Sequence, residues 1–187
     1  MVLNGTARYF RWKRGMSPSR NPKTRVTEVV GKSQEWDIPE NHAVVVQRCL
    51  QCGCRLVRCE INKYSRVLIG GKRFNAGEKL RSGGRCGSVV TTIMGGRSVF
   101  GLIKTLFRVQ CMCHYIDFAL VTLFPPPIYP DGDPLTCKID LGGIDVNNLP
   151  YVRVLPIYDI QPSRIGVELD VDNDCMYIYR FDGYNTI

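Results

Sequence analysis

Residues 89–124 read VVTTIMGGRSVFGLIKTLFRVQCMCHYIDFALVTLF and carry the clearest secondary-structure signal in the chain. Three runs within it, residues 89–94, 98–109 and 115–124, are rich in Val, Ile, Leu, Phe and Tyr, which favour β-strands. Gly95-Gly96 separates the first two runs and suits a type I′ hairpin turn, because that turn needs positive φ at both central positions. The stretch therefore predicts strands joined by tight connections.

Similar short runs extend this pattern over most of the chain. They occur at residues 43–46, 56–61, 66–69, 151–157, 165–171 and 175–181. No segment shows an apolar repeat of 3.6 residues over three turns, and the eight glycines of residues 70–96 argue against a helix there. The sequence predicts an all-β protein, a small antiparallel barrel or sandwich, with a single β domain at residues 38–187 and a basic, largely disordered arm at residues 1–37.

The charges of the 187-residue chain are unevenly distributed. Residues 1–110 hold 21 basic and 6 acidic side chains, whereas residues 111–187 hold 4 and 11, so the two parts carry net charges of +15 and −7. Such asymmetry indicates a surface for nucleic acid or another charged partner. No stretch approaches the roughly 20 apolar residues that span a bilayer. The polar N-terminus lacks the apolar segment of a secretory signal, so we expect an intracellular protein, nuclear or cytoplasmic, without a membrane partner.

Basic side chains concentrate in two segments, residues 8–25 and 63–85. Aromatic residues lie between the cations of the first segment, and glycines lie between those of the second. Flexible cations can neutralise phosphates while rings stack on bases, so both segments are candidates for sequence-independent contact with the backbone of DNA or RNA. The alternative is a solvated tail and a solvated charged loop. The candidate contact residues are Arg8, Arg11, Trp12, Lys13, Arg14, Lys72, Arg73, Arg81 and Arg85.

Two motifs have the spacing of zinc ligands. Residues 49–53, CLQCG, have the form of a zinc knuckle, in which glycine gives the turn its backbone freedom, and Cys111 and His114 have the same two-residue gap. Each motif lies between two strand-like runs, so we expect two hairpin tips that supply a structural zinc. The predicted ligands are Cys49, Cys52, Cys111 and His114, with Cys54 and Cys113 as substitutes. The alternatives are buried core thiols and a disulfide.

Residues 63–74, KYSRVLIGGKRF, followed by Arg81, Arg85 and Ser88, resemble an element of proteins encoded by CACTA-type DNA transposons of plants and their invertebrate relatives. Residues 100–103, 149–152 and 157–158 resemble a following barrel strand and the closing strands of that family. The resemblance covers about residues 61–160 and implies a β-barrel accessory domain beside a transposase. It implies no catalytic residue, and the cysteine motif at residues 49–54 is not part of it.

The sequence argues more for binding than for catalysis. The chain has only two histidines, His42 and His114, and it lacks a Gly-x-x-x-x-Gly-Lys loop, a Gly-x-Ser-x-Gly elbow and a His-Glu-x-x-His motif. We therefore expect a non-enzymatic, zinc-stapled and transposon-derived module that contacts nucleic acid. The first alternative is a protein-interaction or chromatin-associated domain whose acidic C-terminal half binds a basic partner. Its candidate residues are Asp170, Asp172, Asp174, Tyr129, Tyr158 and Tyr177. The second alternative is a metal-dependent hydrolase.

Overall fold

The computed structural model describes residues 10–12, 27–50, 54–77, 80, 84–85, 87–112, 114–129, 135–145, 151–162 and 165–181. This part of the chain is mostly β, so the all-β prediction is confirmed. The strands are β1 (Phe10–Trp12), β2 (Thr27–Val30), β3 (Gln34–Glu35), β4 (Glu60–Tyr64), β5 (Arg66–Ile69), β6 (Lys72–Asn75), β7 (Gly84–Arg85), β8 (Val89–Met94), β9 (Arg97–Gln110), β10 (Tyr115–Leu123), β11 (Thr136–Asp140), β12 (Val152–Pro156), β13 (Ile160–Gln161), β14 (Ile165–Asp170) and β15 (Cys175–Arg180). The helix is α1 (Glu40–Cys49), and 3-10 turns lie at Leu56–Arg58 and Ile157–Asp159.

The strands form three antiparallel sheets. The N-terminal sheet has the strand order β1-β2-β5-β6, and the C-terminal sheet has the order β11-β15-β14-β7. The central sheet has the order β12-β10-β9-β4-β3, and β8 joins it by pairing with β9 and with β13. The sheets stay open over the described residues, so of the two predicted architectures the sandwich fits and the closed barrel is not found.

Strand β9 is the central strand of the central sheet, and other strands pair with it on both sides. Strand β10 follows one edge, while β8 and β4 share the other, β8 along the first half of β9 and β4 along the second. The hairpin between β8 and β9 turns at Gly95-Gly96, both with positive φ, as the sequence predicts. The neighbouring positions of β8, β9 and β10 thus follow from two consecutive hairpins at residues 89–123.

A β-bulge divides β9 into two halves that point their side chains differently. Thr105 lies opposite Leu120 and Ile103 lies opposite Val121, so Lys104 is the extra residue. Ile103 and Leu106, three positions apart, therefore belong to the same hydrophobic cluster, which strict alternation of a regular strand forbids. The bulge lets one long strand serve three separate clusters.

The central sheet is covered on both faces. The N-terminal sheet packs on one face, and its contribution is the buried side chains of Val29, Val67, Ile69 and Phe74. On the other face, the C-terminal sheet covers the first half of β9 and α1 covers the second half. Burying both faces of the sheet removes its apolar residues from water, which supplies most of the free energy that stabilises such a fold.

Gly101 allows β9 and β10 to approach each other closely at the centre of the sheet. A Cβ at this position would lie 2.5 Å from Cγ1 of Val121 and 2.7 Å from the carbonyl oxygen of Thr122. Because the second atom belongs to the backbone, it cannot rotate away. Any larger residue at position 101 would force the two strands apart.

Helix α1 replaces a predicted strand at residues 43–46, so that prediction is wrong. The valines there favour strands by local propensity, but Glu40 in the first turn and Arg48 in the last turn complement the helix dipole. Val46 and Leu50, four residues apart, are buried on the central sheet, while Val44 and Val45 are exposed. Packing of one helical face outweighs the strand propensity of the individual residues.

The β structure begins before the predicted domain boundary at residue 38. Strands β2 and β3 precede that boundary and pair with β5 and β4, respectively. Residues 27–30, TEVV, have the β-branched character of a strand, which the analysis of the basic arm overlooked. Apart from β1, residues 1–26 lie outside the described part of the chain.

Candidate functional sites

The N-terminal sheet joins the two basic segments that the sequence separates. Strand β1 comes from residues 8–25, and strands β5 and β6 come from residues 63–85. Strand β2 lies between them, with Arg11 opposite Glu28 and Glu28 opposite Leu68. Thus, the described part of residues 8–25 and strands β5 and β6 of residues 63–85 lie in one sheet of four strands.

The outward face of this sheet carries positive charge. Arg66 and Arg73 are exposed, while their strand neighbours Val67 and Phe74 are buried against the central sheet. Lys72 instead lies half-buried, with its ammonium 5.3 Å from the centroid of the Phe74 ring. Among the strand residues of this sheet whose side chains the structure describes, the basic ones are Arg66, Lys72 and Arg73 and the acidic one is Glu28, and Lys72 lies on the inward side together with Phe74.

The predicted nucleic-acid residues fall into three groups. Arg11, Trp12, Lys72 and Arg73 lie in the N-terminal sheet. Arg85 lies in β7, which pairs with β14 of the C-terminal sheet, so residues 63–85 are divided between two sheets. Arg8, Lys13, Arg14 and Arg81 lie outside the described residues. The predicted set omitted Arg66, an exposed residue of β5, although its position before a run of apolar residues is visible in the sequence.

A cluster of cysteines lies where β4, β9 and α1 meet. Cys111 is buried just after β9, and Cys49, Cys54 and Cys59 are half-buried residues that pack against the same hydrophobic cluster. The Sγ atoms of Cys59 and Cys111 are 3.1 Å apart. Cys59 was not among the predicted ligands, because 52 positions separate it from Cys111 and no short motif contains it.

Gln47 attaches the loop that leads to Cys59 to helix α1. Its side-chain amide donates to the carbonyl of Cys54 at 2.8 Å, and its side-chain oxygen accepts from the backbone N–H of Leu56 at 2.7 Å. Burial and, second, the charge of Asp159 raise the pKa of the Cys49 thiol. The cluster therefore joins three elements through side-chain contacts that the sequence spacing does not reveal.

The predicted zinc ligands do not all occupy the predicted places. Cys111 and His114 lie at the two ends of the turn between β9 and β10, where the N–H of Cys111 donates to the carbonyl of His114 at 2.8 Å. This is the hairpin position expected for the second pair of zinc ligands. Cys49 is instead the last residue of α1, so the first expected hairpin tip is wrong. Cys52 and Cys113 lie outside the described residues, and the described ones contain no group of three or more metal-ligating side chains. Zinc stays a prediction.

An ion pair that the sequence analysis missed lies on the central sheet. Nε and Nη2 of Arg108 donate to the two carboxylate oxygens of Asp117 at 2.8 and 2.9 Å, and the side chains are only 13% and 6% exposed. The guanidinium also lies 4.0 Å from the centroid of the Tyr115 ring. Burial lowers the pKa of Arg108, but the hydrogen bonds and charge of Asp117 more than offset burial and raise it overall. Burial, and next the Asp117 charge, raise the pKa of the nearby Tyr64 well above its usual value.

The hairpin of β14 and β15 forms an open, acidic cleft of about 570 Å³. Its lining is Glu168, Leu169, Asp170, Val171, Asp172, Tyr177 and Tyr179. Tyr179 donates from its hydroxyl to Glu168 at 2.9 Å. Hydrogen bonds from the side chain and backbone of Asn173 lower the pKa of Asp170, so this carboxylate is ionised at neutral pH.

The acidic residues predicted for a basic partner are thus partly brought together. Asp170, Asp172 and Tyr177 line the cleft, while Asp174 turns toward the loop after β11 and accepts from the N–H of Gly143. Tyr129 lies next to the isolated bridge at Ile128, and Tyr158 lies in a 3-10 turn. The cleft therefore contains one of the three predicted tyrosines, together with Tyr179, which the sequence analysis did not select.

Comparisons with protein-family models, with curated proteins and with solved structures yield no match to this chain. The one helix of the described part is too short and too polar to cross a bilayer. The geometry of the two charged surfaces and of the cysteine cluster therefore carries the functional argument.

Proposed function

We propose that this protein is a non-enzymatic β-sandwich module that binds the sugar–phosphate backbone of DNA or RNA through its N-terminal sheet. The observation that supports the proposal is that β1, from the first basic segment, and β5 and β6, from the second, lie in the one sheet β1-β2-β5-β6 although they are distant in sequence. Positive charge gathered on one rigid face gives stronger attraction to a polyanion than the same charge on separate loops. The resemblance of residues 63–74 to a transposon-encoded element is consistent with DNA as the polymer, and with an origin in such an element.

The β5–β6 hairpin is the centre of the proposed contact. Arg66 lies opposite Asn75 and Leu68 lies opposite Arg73, so the two arginines are diagonal neighbours on the exposed face. Diagonal neighbours on a sheet lie about 7–8 Å apart, within reach of one strand of nucleic acid. Glu28 and Arg73 lie on either side of Leu68 in the same cross-strand row, and the negative charge of Glu28 repels phosphate. We therefore expect the nucleic acid to contact the β5–β6 side of the sheet. Guanidinium groups donate to phosphate oxygens without reading base sequence.

Replacing Arg66 and Arg73 with glutamine should weaken binding and reduce its dependence on salt. Each arginine that contacts a phosphate adds about 1 to the slope of log affinity against log salt concentration. We expect the slope to fall by about 1 in each single variant and by about 2 in the double variant. Fluorescence anisotropy of a labelled random-sequence DNA and RNA, titrated at several salt concentrations, measures both quantities.

Arg153→Gln is the matched control, because Arg153 is an exposed strand arginine on the central sheet. If only residues that contact phosphate change the slope of log affinity against log salt concentration, the slope of Arg153→Gln should stay within about 0.3 of that of the unmodified protein. Equal losses from Arg153→Gln and Arg73→Gln would show that net charge alone causes the attraction. No binding at low salt would remove the proposed function altogether.

A second function is supported by the acidic cleft of the β14–β15 hairpin. Carboxylates and tyrosine rings in one groove suit lysine and arginine side chains, which can make ion pairs and cation–π contacts together. The occupant that fits is an extended basic peptide of a partner protein. This function uses a different sheet from the proposed nucleic-acid contact, so separate variants test the two surfaces.

Neutralising Asp170 and Asp172 as a pair of Asn substitutions should weaken the binding of a lysine- and arginine-rich peptide about threefold to tenfold, because exposed ion pairs contribute little each. Isothermal titration calorimetry at low salt provides the measurement. Glu40→Gln, an exposed carboxylate at the start of α1, is the control and should leave the affinity unchanged. An equal loss in the control would assign the attraction to net charge and reject the cleft as a binding site.

A further inference from the structure

We propose that Cys59 and Cys111 form an oxidisable pair that closes to a disulfide between β4 and β9 when the protein meets a hydroperoxide. Their Sγ atoms are 3.1 Å apart, in a region that both hydrophobic packing and sheet register hold in place. A disulfide has an S–S length of about 2.05 Å, so closure needs a movement of only about 1 Å. The proposed modification is independent of the nucleic-acid and peptide functions.

The register of the central sheet sets this geometry. Glu60 lies opposite Gln110 in the β4–β9 ladder, so continuation by one residue places Cys59 opposite Cys111. The N–H of Cys111 donates to His114 on the far side, toward β10. Because the N–H of Cys111 points toward β10, Cys59 and Cys111 form a pair without backbone hydrogen bonds to each other. In antiparallel sheets, the Cα atoms of such a pair are about 4.5 Å apart. That separation lies within the range that disulfides require, about 4.4–6.8 Å.

Differences in exposure assign a role to each sulfur. Cys59 is half-buried and accessible, whereas Cys111 is 5% exposed. The Cys59 thiolate attacks the terminal oxygen of the hydroperoxide and forms an S–O bond as the O–O bond breaks; the other oxygen leaves as hydroxide from hydrogen peroxide, or as alkoxide from an organic hydroperoxide, and takes up a proton. The Cys111 thiolate then attacks the Cys59 sulfur, forming the S–S bond while hydroxide leaves and is protonated to water. For hydrogen peroxide, two thiols and one peroxide give one disulfide and two waters.

The other described cysteines are less suited to this reaction. Cys137 and Cys175 are each 1% exposed, and Cys137 belongs to the hydrophobic cluster beneath the C-terminal sheet. Burial raises the pKa of Cys137 to about 11, so little thiolate exists there at neutral pH. Burial also raises the pKa of Cys49. Cys54 is half-buried like Cys59, so exposure does not separate these two; the resolving thiol 3.1 Å away favours Cys59 as the site where oxidation by limited peroxide leads to a disulfide.

The test uses the full chain, purified with a reductant and without added metal, then treated with one equivalent of hydrogen peroxide. Alkylation of the remaining thiols and peptide mapping by mass spectrometry without reduction identify the linked cysteines. We expect the Cys59–Cys111 cross-link as the main product, reversed by dithiothreitol. The link closes a long loop of the unfolded chain, so the oxidised protein should melt about 5–10 °C above the reduced protein.

Variants make the assignment specific. Cys59→Ser and Cys111→Ser should each abolish the cross-link and the rise in melting temperature. Cys54→Ser alters another half-buried cysteine of the same cluster and should retain both. If Cys111→Ser fails to fold, the peptide map of the unmodified protein and the Cys59→Ser variant decide the matter.

Three results would overturn the proposal. The first is a map in which Cys111 is linked to a different cysteine. The second is a stable sulfenic acid on Cys59 that leaves Cys111 alkylatable. The third is about one zinc per chain by elemental analysis, lost in Cys111→Ser, because a zinc-bound thiolate cannot also serve as the resolving thiol.

Discussion

Asp117→Asn is expected to lower the free energy of unfolding by about 3 kcal/mol, because it leaves the Arg108 guanidinium in a poorly hydrated place without its counter-charge. Removing one member of a buried ion pair costs about 3–5 kcal/mol in general. The lower end of this range applies here because the Arg108 side chain is 13% exposed, so water can partly hydrate its charge. Urea unfolding, with the slope m compared between the proteins, measures the change.

Two further variants separate the charge from the packing. Asp172→Asn neutralises an exposed carboxylate and should change stability by less than about 0.5 kcal/mol. The double replacement Arg108→Met with Asp117→Leu removes both charges and should cost much less than Asp117→Asn alone. The loss in Asp117→Asn should persist at high salt, since buried pairs are weakly screened. A loss that disappears at 1 M salt would contradict the buried pair.

Phe107→Ala is expected to destabilise the protein by about 3–5 kcal/mol, the usual cost of truncating a buried phenylalanine. The ring is fully buried between β9 and α1, with its centroid 5.1 Å from the Trp36 ring and 5.3 Å from the stacked Phe118 ring. The lost side chain leaves a cavity and removes both aromatic contacts. Urea unfolding gives the free energy, and tryptophan fluorescence in a Trp12→Phe background reports whether the surroundings of Trp36 change.

Val57→Ala is the control for Phe107→Ala, since Val57 is 86% exposed in the 3-10 turn beside the same cluster. It should change stability by no more than about 0.5 kcal/mol. Phe107→Leu keeps most of the buried volume and should fall between the two variants. Equal stability of Phe107→Ala and Val57→Ala would mean that α1 and Trp36 do not pack on β9 as described.

The candidate sites differ in how far sequence reasoning could reach them. The basic segments were visible as local composition, but only the pairing of β1 with β2 and of β2 with β5 brings β1 and the β5–β6 hairpin into one sheet. The Cys59–Cys111 contact joins residues 52 positions apart, so no spacing rule could identify it. The Arg108–Asp117 pair was likewise hidden, because each residue alone resembles an ordinary polar position on a strand.

The amino-acid sequence was sufficient for the strand content, the Gly95-Gly96 hairpin and the uneven charge, because each depends on residues that are neighbours in the chain. The tertiary structure alone decided that residues 40–49 are helical, since burial of Val46 and Leu50 on the central sheet overrides the strand propensity of the valines. It also decided where β9 changes face, through the bulge at Lys104. The burial of a residue and the register of a strand depend on packing and pairing with segments that are distant in sequence. Local sequence patterns do not identify those segments.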